Sequence, residues 1–159
     1  MVKARNTKPR NSYELMKRAI ANMEAHPETY LQEFFVIRGR NLLKERFGRE
    51  RCDTAFCRAG HIVVAFDGTL PDGDLDIRAR ATVLLGASMN SPMNQSVHDL
   101  FSGGCLHNRN GLNSELGSDS DSPKFKDNPR EYLRRGVAGM ELFMERHKEV
   151  LMNHSLEGL

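Results

Sequence analysis

The sequence predicts an all-α domain, a compact bundle of about five helices with a long polar loop before the last one. Three observations predict it. Apolar residues recur at spacings of three and four through most of the chain. Capping or helix-breaking residues bound each such stripe. A length of 159 residues, 39% of them hydrophobic and 28% charged, suits one soluble globular domain with a real core.

In order, residues 1–10 read as a flexible basic tail, because Pro9 opposes an early helix. Asn11 or Ser12 can cap a first helix whose stripe is Leu15, Met16, Ala19, Ile20 and Met23. His26-Pro27 interrupts it, since a residue before proline avoids the α region. A second helical pattern spans 28–47 through Tyr30, Leu31, Phe34, Phe35, Ile37, Leu42, Leu43 and Phe47, with Gly39 inside it and Gly48 as its stop.

The stretch 52–66, CDTAFCRAGHIVVAF, is the one around which the rest is arranged. With Thr54 as helix start, Ala55, Phe56, Ala59, Ile62, Val63 and Phe66 form a stripe. The competing reading makes Gly60 a boundary and 61–66 a short buried strand. Residues 67–74, DGTLPDGD, are a turn by composition. DIRARATVLLGAS then fits both periods: Ile77, Ala79, Ala81, Val83 and Leu85 alternate, while Ile77, Ala81, Leu84 and Leu85 make a helical stripe. The alternative fold is therefore α+β, with a small antiparallel hairpin of 61–66 and 76–85.

Residues 87–94 read as a loop and 95–101 as a short helix. From 105 to 128 the chain is rich in Gly, Asn, Ser and Asp, the composition of a long mobile loop. Pro129 opens the last strong helix, with the stripe Tyr132, Leu133, Val137, Met140, Phe143, Met144 and Leu151. Residues 154–159 read as a frayed tail, which leaves 11–153 as the single domain.

The net charge of +2 hides an asymmetry: residues 1–58 carry 13 Lys/Arg against 7 Asp/Glu, and residues 59–159 carry 10 against 14. Arg38, Arg40, Lys44, Arg46, Arg49 and Arg51 concentrate the basic charge, offset by Glu45 and Glu50. Such a surface can take nucleic acid or an acidic protein. No nucleic-acid motif accompanies it, so binding to DNA or RNA is expected to be weak, electrostatic and salt-sensitive. No apolar run approaches the ~20 residues of a membrane span, and the basic N-terminus lacks the apolar segment of a secretory signal. Three cysteines, an odd and low number, point to free thiols in a reducing, cytoplasmic compartment.

Cys57 is the best candidate nucleophile, near a helix N-terminus with Arg58 and His61 beside it. A catalytic cysteine also needs a base oriented by a third group. Nothing in the sequence supplies one, and a buried structural thiol is the commoner outcome. Cys52, Cys57 and His61, completed by Cys105 or His107, are the candidate metal ligands, although Cys-x4-Cys-x3-His is not a standard finger spacing. The other histidines, His26, His98, His147 and His154, read as surface or capping residues. VVAFDGTL looks like the first motif of haloacid-dehalogenase phosphatases, but Ala65 stands where a nucleophilic aspartate is needed. Asp72, Asp74 and Asp76 alternate like a calcium loop, yet Val83 occupies the twelfth position. There is no Walker A sequence and no dinucleotide-binding glycine pattern.

CDTAFCRAGHIVVA resembles a pattern of small phage and bacterial helical proteins of unknown function, Cys-Gly-Thr-x-x-Cys-x-Ala-Gly-His/Trp. AHPETYLQEFF, ARATVLLGAS, SVHDLFSG and NPREYLRRGVAGMELFMERH resemble further pieces of that pattern. The resemblance spans most of residues 15–147, departing at Asp53 and in the 105–128 insert. It implies a helical domain and no activity. The expected function is a non-enzymatic phage or mobile-element accessory protein that binds a host or phage protein, without a cofactor. The alternatives are a nucleic-acid-associated protein using the basic first third and, after that, a cysteine-dependent hydrolase or transferase centred on Cys57.

Overall fold

The computed structural model describes residues 7–30, 36–38, 54–88, 90–101 and 129–159. Helices carry the fold, as the stripes predict. Helix α1, Ser12–Ala25, is capped by Asn11, whose extended backbone lets its side-chain oxygen accept the Glu14 amide at 2.9 Å. It stops at His26, before a single 3-10 turn at Pro27–Thr29.

Two expectations fail in the next segment. The helical pattern over 28–47 is not continuous: the turn ends at Tyr30, and Val36–Arg38 is a short strand, β1. Thr54 does not start a helix either, because Thr54–Phe56 is strand β2, paired antiparallel to β1 with Ile37 opposite Ala55. A β-branched residue followed by Ala-Phe suits an extended ladder as readily as a first turn. The remaining residues of 28–47, including Phe34 and Phe35, lie outside the described residues.

Helix α2, Arg58–Asp67, begins one turn later than expected, with Cys57 at the N-cap. It ends where Gly68 takes a positive φ of 78° and returns its amide to the Val64 carbonyl. Eight of its ten residues are buried, so it is a central helix rather than one with a wet face. Helices α1 and α3, Asp74–Leu84, both pack against it.

In α3, Ile77, Ala81 and Leu84 turn inward while Val83 stays 47% exposed. A strand would have placed Val83 on the same face as Ile77 and Ala81. Residues 61–66 and 76–84 are thus helical, with Leu85 as the C-cap of α3, and the alternative hairpin of 61–66 and 76–85 does not form.

Helix α4, Asn94–Phe101, buries Val97, Leu100 and Phe101. Helix α5, Pro129–Arg146, buries Leu133, Val137, Met140, Phe143 and Met144. His147 leaves helical geometry, and α6, Lys148–Asn153, carries Leu151 back into the same core. Each such buried aliphatic side chain contributes about 1.5–3 kcal/mol.

The ends of the described chain are tied together, which corrects the frayed tail expected at 154–159. Asn11 and Ser155 form a bridge, the Leu156 amide donates to the Arg10 carbonyl at 3.0 Å, and Leu156 is 3% exposed. The Ser12 hydroxyl is fully buried and donates to the Leu84 carbonyl at 2.6 Å. Its one proton spent there, it accepts from His154 Nδ1 at 2.8 Å, which fixes the proton on that nitrogen. Residues 7–10 of the expected basic tail belong to the same clasp, and Pro9 is buried.

Candidate functional site

The candidate nucleophile lies at the junction of β2 and α2. Cys57 is 1% exposed and is a free thiol. Burial pushes it up to about 11, against the opposite pull of the Gly60 and Ala59 amides and of the Arg58 charge. The helix N-terminus does act on the sulfur in the direction expected, but removal from water is the larger effect. At neutral pH this group is a thiol, not a thiolate.

His61 shares the helix with Cys57 yet turns elsewhere. Its Nε2 lies 3.2 Å from the Thr29 carbonyl and 3.5 Å from the Thr29 hydroxyl. A carbonyl only accepts, so Nε2 carries the proton and cannot take one from a thiol. Burial brings His61 down to about 3, outweighing the Thr29 bond that favours the charged form. The ring is neutral and joins α2 to the turn after α1.

Two further residues complete this buried polar cluster: Arg58, read from the sequence only as a neighbour of Cys57, and Tyr30, read as part of an apolar stripe. Arg58, 1% exposed, donates from Nε to the Gly136 carbonyl at 3.3 Å and from Nη1 to the Leu100 carbonyl at 3.1 Å. It thereby joins the start of α2 to the last turn of α4 and the middle of α5. Tyr30 is pushed up to about 12, chiefly by burial. Its ring lies over Gly136, where an added Cβ would sit 2.4 Å from a ring carbon. The Tyr30 and His61 rings are 6.1 Å apart and tilted. The signal for Arg58 was faint: a lone arginine at the head of an apolar helix.

Of the candidate metal ligands, Cys52, Cys105 and His107 lie outside the described residues. Among the described residues no group of three or more His, Cys, Asp or Glu side chains could hold a metal ion. Of the basic candidates, Arg38 falls on β1, while Arg40, Lys44, Arg46, Arg49 and Arg51 lie outside the described residues.

The reading of the other histidines as surface or capping residues fits their places: His26 and His98 are exposed, and His147 and His154 occupy the N-cap and C-cap positions of α6, His147 without a side-chain capping bond. His154 is half-buried in the clasp, and the Nε2 of His147 is buried without a partner among the described residues. Asp67, in the phosphatase-like motif, ends α2 in a bidentate pair with Arg80 at 2.8 and 2.9 Å.

Two grooves open on the clasp side. One, of about 530 Å3, is lined by Thr7–Arg10 and by Glu14, Lys17 and Arg18 of α1. The other, of about 470 Å3, has Phe66 and Leu156 among its walls and shares Lys8, Pro9 and Arg10 with the first. No family model, curated protein or solved structure matches the chain.

Proposed function

We propose that this chain acts by binding rather than by catalysis, as an accessory protein of phage or mobile-element type that engages a host or phage protein. One observation carries the reading. The best nucleophile candidate is a protonated thiol sealed in the core, and its neighbouring histidine presents a donor, not a base, to Thr29. A cysteine-dependent reaction needs a thiolate within reach of substrate, so the chemistry at Cys57 is that of packing.

Nucleic-acid binding stands second. Among the residues whose side chains are described, the exposed large hydrophobic ones are Val83, Val150, Met152 and Leu159, none of them an aromatic platform for a base. No helix among the described residues is long and apolar enough to cross a membrane.

Crosslinking affinity purification of the tagged chain from host cells, with and without Cys57→Ala, tests the proposal. A protein partner captured equally by both chains is the expected result. Absence of any protein partner, or a thiol-dependent turnover abolished by Cys57→Ala, would overturn it.

A further inference from the structure

The two clasp-side grooves differ in chemistry and meet along one wall. The larger is cationic: Lys8, Arg10, Lys17 and Arg18 line it, with Glu14 as its carboxylate. Arg10 engages that carboxylate at 2.8 Å, and Arg18 donates to the Thr7 carbonyl. Lys8 and Lys17 are exposed; their ammonium groups lie 4.9 Å from the Phe66 ring centre and 5.9 Å from that of Tyr13. A third ammonium, that of Lys148, lies 5.8 Å from the Tyr13 ring, so positive charge continues from the groove onto α6.

The smaller groove is floored by Phe66, Pro9 and Leu156, with Leu159 at 43% exposure and Glu157 among its lining residues. Both volumes fall in the range of ligand-binding clefts.

We infer that these grooves form one docking surface for an acidic peptide segment of a protein partner, with carboxylates over the Lys8–Lys17 side and apolar side chains in the adjoining groove beside Leu159. Charge complementarity selects the acidic component. The adjoining apolar groove selects a polypeptide over a nucleic-acid backbone, because a phosphodiester chain has no apolar side chain to place there and Phe66, 7% exposed with Lys8 and Arg80 over its ring, offers little face to a base. Tyr13 offers little to a stacked base, being half-buried with two lysines over its ring. The assignment rests on the protein-binding reading above and gives it a location.

Fluorescence anisotropy on the full chain tests it with three labelled probes of equal length: a peptide alternating aspartate and leucine, polyglutamate, and oligodeoxythymidine. The alternating peptide should bind, about tenfold more tightly than polyglutamate, a difference of about 1.4 kcal/mol. Lys8→Glu with Lys17→Glu should weaken it at least tenfold, while Lys8→Arg with Lys17→Arg should retain it. Both residues are exposed, so unchanged thermal unfolding confirms that the double variant is folded. Tightest binding by oligodeoxythymidine, equal binding of the two peptides, indifference to the charge reversal, or no binding of any probe would each overturn the inference. If the glutamate variant still captures the partner found by crosslinking, the groove assignment fails while the protein-binding reading stands. If the wild-type chain captures no protein partner, that reading fails independently of the groove.

Discussion

At Gly136 the absence of a side chain decides the packing. The Tyr30 ring occupies the space a Cβ would take, at 2.4–2.6 Å from three of its atoms, and both residues are buried. Gly136→Ala should therefore destabilise the protein despite the better helix propensity of alanine. Overpacking a filled core costs about 1–3 kcal/mol, measurable by urea unfolding. Tyr30→Leu should reduce the penalty in a double-mutant cycle, because the clash belongs to the pair. Independent, additive effects of the two substitutions would show that the ring does not fill that space. Nothing local to Gly136 announced this, since Tyr30 lies more than a hundred residues away in the chain. The same holds for Arg58, whose carbonyl partners are 42 and 78 residues distant. An apolar stripe tells which face of a helix turns inward, but not which polar group is carried in with it.

At the scale of elements, the clasp between the head of α1 and the end of α6 combines backbone bonds with one buried hydroxyl. Ser12 satisfies the Leu84 carbonyl and the His154 ring at once, and its own amide donates to the His154 carbonyl at 3.2 Å. Ser12→Ala should leave the buried Leu84 carbonyl and the half-buried His154 ring N–H without their partner. The expected cost is about 1–3 kcal/mol, with faster hydrogen exchange concentrated in residues 148–156. Uniform acceleration across α1 to α5 would mean instead that the clasp is part of the global core.

Helices α1 and α5 were legible because each has a clear stripe with a cap or proline at its start. Residues 76–85 satisfied two periods at once, and only the tertiary setting, with Val83 outward, separates them. The start of α2 was misplaced because Cys57 is no preferred capping residue, whereas Thr54 is. The strand pair β1–β2 was missed because three-residue strands carry too little alternation to stand out. The tail at 154–159 was misjudged because its anchors are backbone bonds and one histidine, not an apolar run.

For the whole molecule, burying neutral histidine makes stability depend on pH. His61 titrates near 6.5 when unfolded and about 3 when folded. The unfolded chain therefore binds more protons below pH 6.5, and the contribution of His61 is fully present above that pH and lost as pH falls toward 3. Within that window the loss is about 1.4 kcal/mol per pH unit from this residue. His147 acts in the same direction, lowered by burial and by Arg146. Urea unfolding at pH 7, 6 and 5 should show falling stability, with a shallower slope in His61→Gln. Equal slopes would show that His61 is hydrated in the folded protein.

The central claim, that the sulfur of Cys57 belongs to the core and not to an active site, is tested most directly by peptide-resolved alkylation of the folded protein. Iodoacetamide labelling at neutral pH, read by mass spectrometry, should leave Cys57 unmodified until denaturant unfolds the chain. A thiol raised to about 11 and 1% exposed offers neither thiolate nor access. Rapid native labelling of Cys57, with a rate that titrates below pH 8, would contradict the account and return the cysteine to the role of nucleophile.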